Sequence, residues 1–140
     1  MNSTPSPTDS PTGLPVCAPE DYALSLELPG AAAGSVGYRV DAVGQSAACW
    51  LDTVLTITFV GADGQPLPID GNGMTLPLVG DLPDGAAAGV LWSNWCGERE
   101  SIRVELATPD HIVQSDQVTV PGCNGPGQPS TVSPIPDDGL

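Results

Sequence analysis

The chain has 140 residues, room for one domain of ordinary size. Its 17 acidic residues face three arginines and no lysine, for a formal net charge of −14. That balance argues against nucleic acid or an anionic membrane surface as partner, because phosphate binding is carried by Lys/Arg clusters. No apolar run approaches the ~18–20 residues of a spanning helix. The longest, Ala86–Trp92, is short and interrupted by Gly89, while 40% hydrophobic content is enough to build a core.

Residues 1–15 open with Ser, Thr and Pro (MNSTPSPTDSPTG), the composition of a solvated tether. Neither a basic nor an apolar signal region follows Met1. The expectation is an exported protein whose native mature chain begins with a lipidated cysteine where Met1 stands, so that a membrane is met only through that anchor. From residue 16 to 123 the apolar period is 2 rather than 3.6. Tyr22, Leu24, Leu26 and Leu28 alternate with Ala23, Ser25 and Glu27, a half-buried strand. Gly30–Gly34 reads as a turn, after which Val36, Tyr38 and Val40 alternate again. Leu55, Ile57 and Phe59 alternate with threonines, β-branched residues suited to a pleated surface. Ala62-Asp63-Gly64 then supplies a turn.

Met74, Leu76 and Leu78 form the next strand, which Pro77 assigns to a sheet edge because it has no N–H to donate. Strands follow at Ala86–Trp95, at Ile102–Leu106 and, after a Thr108-Pro109-Asp110 turn, at Ile112–Val120. Residues 124–140 return to Gly, Pro, Ser and acid and read as a disordered tail. Seven short strands, 17 glycines, 16 prolines and no helical pattern predict an antiparallel β-sandwich of immunoglobulin-like type, with a small barrel as the alternative.

Cys17, Cys49, Cys96 and Cys123 are an even set with wide gaps and no Cys-x-x-Cys pair, which points to disulfides rather than zinc. Cys17 and Cys49 lie almost symmetrically about the Gly30–Gly34 turn, and Cys96 and Cys123 about Pro109-Asp110. Folding each hairpin therefore predicts the pairs Cys17–Cys49 and Cys96–Cys123. Each would close a loop of about 30 residues, contributing roughly 3–4 kcal/mol in the chain-entropy model. Two disulfides imply an oxidising, extracytoplasmic location.

The sequence offers little catalytic chemistry. His111, the sole imidazole, reads as an exposed turn residue, and no Gly-x-Ser-x-Gly elbow accompanies it. The carboxylates read as surface charge rather than an acid–base pair. Asp63, Asp70 and Asn72 gather hard oxygen ligands in one loop but lack calcium-loop spacing. No cofactor or metal is expected. The candidate binding residues are the tryptophans Trp50, Trp92 and Trp95, able to serve as stacking platforms or protein anchors. Trp92 and Trp95, an odd number apart on one strand, would point to opposite faces, one of them core. Trp50 would pack on the disulfide of Cys49.

Val60–Pro68, Leu82-Pro83-Asp84-Gly85 and Leu91-Trp92-Ser93-Asn94 before Cys96 resemble the secreted domain-of-unknown-function 4232 family of actinobacteria. The segment before Cys49 keeps Gly44 of that family's pattern without its Asn-Thr, and Trp50-Leu51-Asp52 replaces its Gly-Tyr-Pro. The resemblance implies a β-sandwich and an envelope location, and brings no catalytic residues. The expected function is a non-enzymatic module binding an envelope protein. A wall-glycan-binding module is the alternative, and a small hydrolase a third.

Overall fold

The computed structural model describes residues 13–32, 34–45, 47–115 and 119–135. They form two four-stranded antiparallel sheets packed face to face. In chain order the strands are β1 (Tyr22–Ala32), β2 (Ser35–Gly44), β3 (Cys49–Val60), β4 (Met74–Leu82), β5 (Ala86–Ser93), β6 (Arg103–Ala107), β7 (Ile112–Ser115) and β8 (Thr131–Pro134). The first sheet runs β1-β2-β5-β8 and the second β4-β3-β6-β7. The chain crosses between sheets after β2, β4, β5 and β7, as in immunoglobulin-like sandwiches. A single 3-10 turn, Pro19–Asp21, precedes β1.

The period-2 pattern acts as the sequence predicts. Tyr38, Val40, Leu55, Ile57, Phe59, Leu78, Val90, Val104 and Leu106 all turn inward and are buried. An aromatic cluster joins the two layers: the Phe59 ring lies 5.0 Å from Tyr38 and 4.5 Å from Trp92. Gly64 takes φ 79° in the predicted turn, its N–H donating to Gly61 O at 3.0 Å. β4 is an edge strand, with Pro77 opposite Val54, in keeping with its missing donor.

Both predicted disulfides are present, Cys17–Cys49 with Cα atoms 5.0 Å apart and Cys96–Cys123 at 4.6 Å. Cys17 is held to β3 by the backbone as well. Its N–H donates to Trp50 O, and Trp50 N–H to Pro15 O. Residues 15–17 thereby cover the stretch of β3 that β6 is too short to reach.

Two expectations need correction. The segment read as a disordered tail contains β8, which pairs with β5 from Val90↔Pro134 to Ser93↔Thr131. Its single inward side chain, Val132, is buried. Four residues are too few to show a period, which is why composition misread them. Second, β5 ends at Ser93: Asn94 adopts φ 62° and turns the chain, so Trp95 folds back beside Trp92 with ring centroids 5.5 Å apart. Of the strand expected over Ile112–Val120, Ile112–Ser115 form β7, whose Ile112 is 74% exposed because β7 is an outer edge covered on one side only; residues 116–118 lie outside the described residues. The anchor position, Met1, and most of the expected tether lie outside the described residues.

The buried phenols give the fold an alkaline limit. Burial pushes Tyr38, whose hydroxyl donates to Thr119 O, far above its usual value of 10. Tyr22 is raised too, by burial first and then by the Asp110 carboxylate, against an opposing hydrogen bond with Thr108. The unfolded chain releases these protons near pH 10 while the folded chain retains them. Their contribution is therefore complete below that pH and is lost as pH rises above it. Thermal melts at pH about 8 and about 11 should show a clear fall in Tm that Tyr38→Phe reduces; equal slopes in the two proteins would contradict this.

Candidate functional site

On the outer face of the second sheet, strand alternation should place polar side chains toward water. Around β3 and β4 it does so only in part. Cys49, Leu51, Leu55 and Ile57 point inward, leaving Trp50, Asp52, Val54 and Thr56 outward. On β4, Leu78 and Leu82 point inward and Thr75, Pro77, Val79 and Asp81 outward. The antiparallel register sets Val54 beside Pro77, Asp52 beside Val79 and Trp50 beside Asp81. Val54 is 47% and Val79 41% exposed. Trp50 is half-buried at the end of this face, with Val16 as its parallel-bridge neighbour. The upper limit of the patch is polar, where the hydroxyls of Thr56 and Thr75 bond at 3.0 Å.

The patch continues round the β4 edge into an open groove of about 390 Å³. Pro77 and Val79 form its apolar wall, and Arg39, Asp41 and Asp84 supply charge. Gly80 makes this corner possible. A Cβ there would lie 2.3 Å from Gly85 O, so only glycine lets β4 close on the turn leading into β5. Arg39 Nε and Asp41 Oδ1 are 3.0 Å apart. A half-exposed pair of this kind adds little stability, but both side chains line the groove. The groove thus offers hydrogen bonds and charge on one side and apolar contact on the other.

The sequence-selected residues are distributed unevenly around this surface. Trp50 belongs to it. Trp92 is 0% and Trp95 6% exposed, so both are core residues and neither forms a platform. Trp92 donates its indole N–H to Ser130 Oγ at 2.8 Å, and Trp95 to Glu98 O at 2.8 Å. All four cysteines serve as cross-links. His111 is half-buried rather than simply exposed. Its Nε2 donates to Pro19 O at 2.7 Å and its ring meets Tyr22 edge-on at 4.7 Å, so it pins the approach to β1. The Tyr22 hydroxyl in turn reaches Thr108 and Asp110 in the turn before β7.

The acidic loop after β3 is held by Asn72. Its amide accepts from Phe59 N–H at 2.8 Å and donates to Phe59 O and Leu67 O at 2.9 and 3.0 Å. Asp63 accepts from Gln65 N–H. Among the described residues no group of three His, Cys, Asp or Glu is placed to hold an ion.

Sequence reasoning missed Val54, Val79 and the groove. Val54 breaks the Leu55/Ile57/Phe59 alternation from the polar side, a signal present in the sequence. The groove required knowledge of which strands meet at the corner. No protein-family model, curated protein or solved structure matches this chain.

Proposed function

We propose that this chain is an extracytoplasmic, non-enzymatic interaction module of the cell envelope, secreted or lipid-anchored, that binds a protein partner through the β3–β4 face and its adjoining groove. The observation that carries the reading is the exposure of Val54 and Val79 on either side of Pro77, on a face where polar residues would cost nothing. Asp52 and Asp84 border that apolar surface. They favour a partner presenting apolar side chains fenced by Lys or Arg, in keeping with a chain of net charge −14. Two disulfides support the extracytoplasmic location, and the resemblance to the domain-of-unknown-function 4232 family supports placement in an actinobacterial envelope. The half-buried Trp50 beside Asp81 favours wall glycan as a second reading, since an aromatic next to carboxylates can stack on a sugar.

The deciding experiment is a pull-down on insoluble cell wall of an actinobacterium, before and after protease treatment of the wall. A protein partner predicts binding that proteolysis abolishes. Val54→Asp with Val79→Asp should then weaken it at least about tenfold, a loss of ~1.4 kcal/mol, with an unchanged melting temperature. Binding that survives proteolysis and is lost in Trp50→Ala assigns the glycan reading instead. Absence of binding in both preparations would overturn both.

A further inference from the structure

The last strand sits in a slot rather than on an open edge. On one side β8 pairs with β5. On the other, Asp70 N–H donates to Ser130 O at 2.9 Å and Val132 N–H donates to Asp70 O at 2.7 Å. The slot is shaped for a backbone: a Cβ on Gly71 would lie 2.2 Å from Val132 O, and Gly71 has φ +86°. It also has two side-chain requirements. Val132 fills the core position at its floor, and Ser130 Oγ accepts the Trp92 indole N–H while donating to Ser93 O at 3.1 Å. Without a strand here, the β5 backbone from Val90 to Ser93 would be an unpaired edge and a buried indole N–H would lose its acceptor.

The connection to this strand is built differently. Asn124–Pro129 lies on the surface, Gly- and Pro-rich, and its contact to the sandwich is dominated by one side chain. Asn94 accepts from Asn124 and Gly125 N–H at 2.9 and 3.0 Å and donates to Gly125 O and Gln128 O at 3.0 and 3.1 Å. The base of the connection is fixed by Cys96–Cys123. Six such residues, if extended, reach roughly 20 Å, enough to carry β8 to a neighbouring molecule.

We infer that the β5 edge is a strand-addition site that the chain fills with its own C-terminal segment, and that its occupant in trans is the same segment of a second copy. The choice of a second copy follows from fit: the sequence Ser130-Thr131-Val132-Ser133 satisfies every requirement of the slot. Exchange conserves all β8 contacts and gives up only those of Asn124–Pro129. Loops of this kind set the balance between closed monomer and swapped dimer.

Cross-linking reads this directly. Leu91 and Ser133 are opposed on the outer face and both exposed, so cysteine at either position leaves the core untouched. Full-length Leu91→Cys and Ser133→Cys proteins are mixed, warmed briefly, cooled and oxidised, and the products mapped by mass spectrometry. In that mixture a 91–133 link can form only between copies. It is expected, with a share that rises about tenfold for a tenfold rise in concentration, as mass action requires. The double variant in one chain should close 91–133 internally, which verifies folding and register. If the double variant closes while the mixture gives no 91–133 link, exchange does not occur. Failure of the double variant to close would remove the strand-addition site itself. Suppression of the internal link by a synthetic Gln128–Ile135 peptide, without any link between copies, would overturn the second copy as occupant.

Discussion

Trp92→Ala is expected to destabilise the protein by ~3–5 kcal/mol, the cost of emptying a large aromatic site in a packed core. Domains of this size are stable by only about 5–15 kcal/mol, so the variant should sit close to its unfolding limit at 37 °C. The effect is large because Trp92 joins every layer of the molecule. Its ring touches Phe59 of the opposite sheet, Tyr38 of its own sheet and Trp95 beyond the turn, at 4.5, 6.3 and 5.5 Å. Its N–H also anchors Ser130, hence β8. Urea unfolding would measure the loss, with Trp50→Ala as comparison, because Trp50 is half-buried at the margin. If the two substitutions cost the same, Trp92 is not the centre of the core.

Replacing both Cys17 and Cys49 with serine should cost roughly 2–5 kcal/mol, while the second disulfide should be the one that reductant reaches. The two bridges close loops of similar size, with sequence separations of 32 and 27. Their entropic contributions are therefore close, and environment separates them. Cys49 is buried and Cys17 half-buried against the core, whereas Cys96 and Cys123 are both exposed. Thiol–disulfide exchange requires a thiolate to approach a sulfur in line, so access governs the rate. Mild thiol treatment followed by alkylation and mass mapping should find Cys96 and Cys123 modified in folded protein. Cys17 and Cys49 should react only as fast as the chain unfolds. Arg99 should slow fraying of the opened segment, since its guanidinium bonds Trp95 O, Pro121 O and Val120 O at 3.2, 2.9 and 3.2 Å. Equal labelling of all four cysteines would contradict the difference in burial.

Much of this architecture is legible in one dimension because a strand half in water records its environment every second residue. β2, β3 and β6 carry that record plainly. Turn chemistry and the cysteine spacing then fold the hairpins on paper, which is how both disulfide pairs follow from the sequence. Pro77 even marks its own edge. Legibility fails where a segment is shorter than its period needs, or where one backbone torsion redirects the chain. β8, with four residues, is the first case; Asn94 is the second, since a left-handed residue places Trp95 on the side that alternation forbids. The proposed binding surface was half visible. Trp50 is selected by residue type, but Val54 and Val79 acquire meaning only when the register puts them on either side of Pro77.

The sequence by itself determined the fold class, the disulfide pairing and a polyanionic surface, because each depends on local period, spacing or composition. Only the tertiary structure decided which apolar residues face water, where the groove opens and what closes the β5 edge. Those features arise where strands distant in the chain meet, and a pairing between residues forty or more positions apart leaves no trace in either segment alone, as Trp92 and Val132 show.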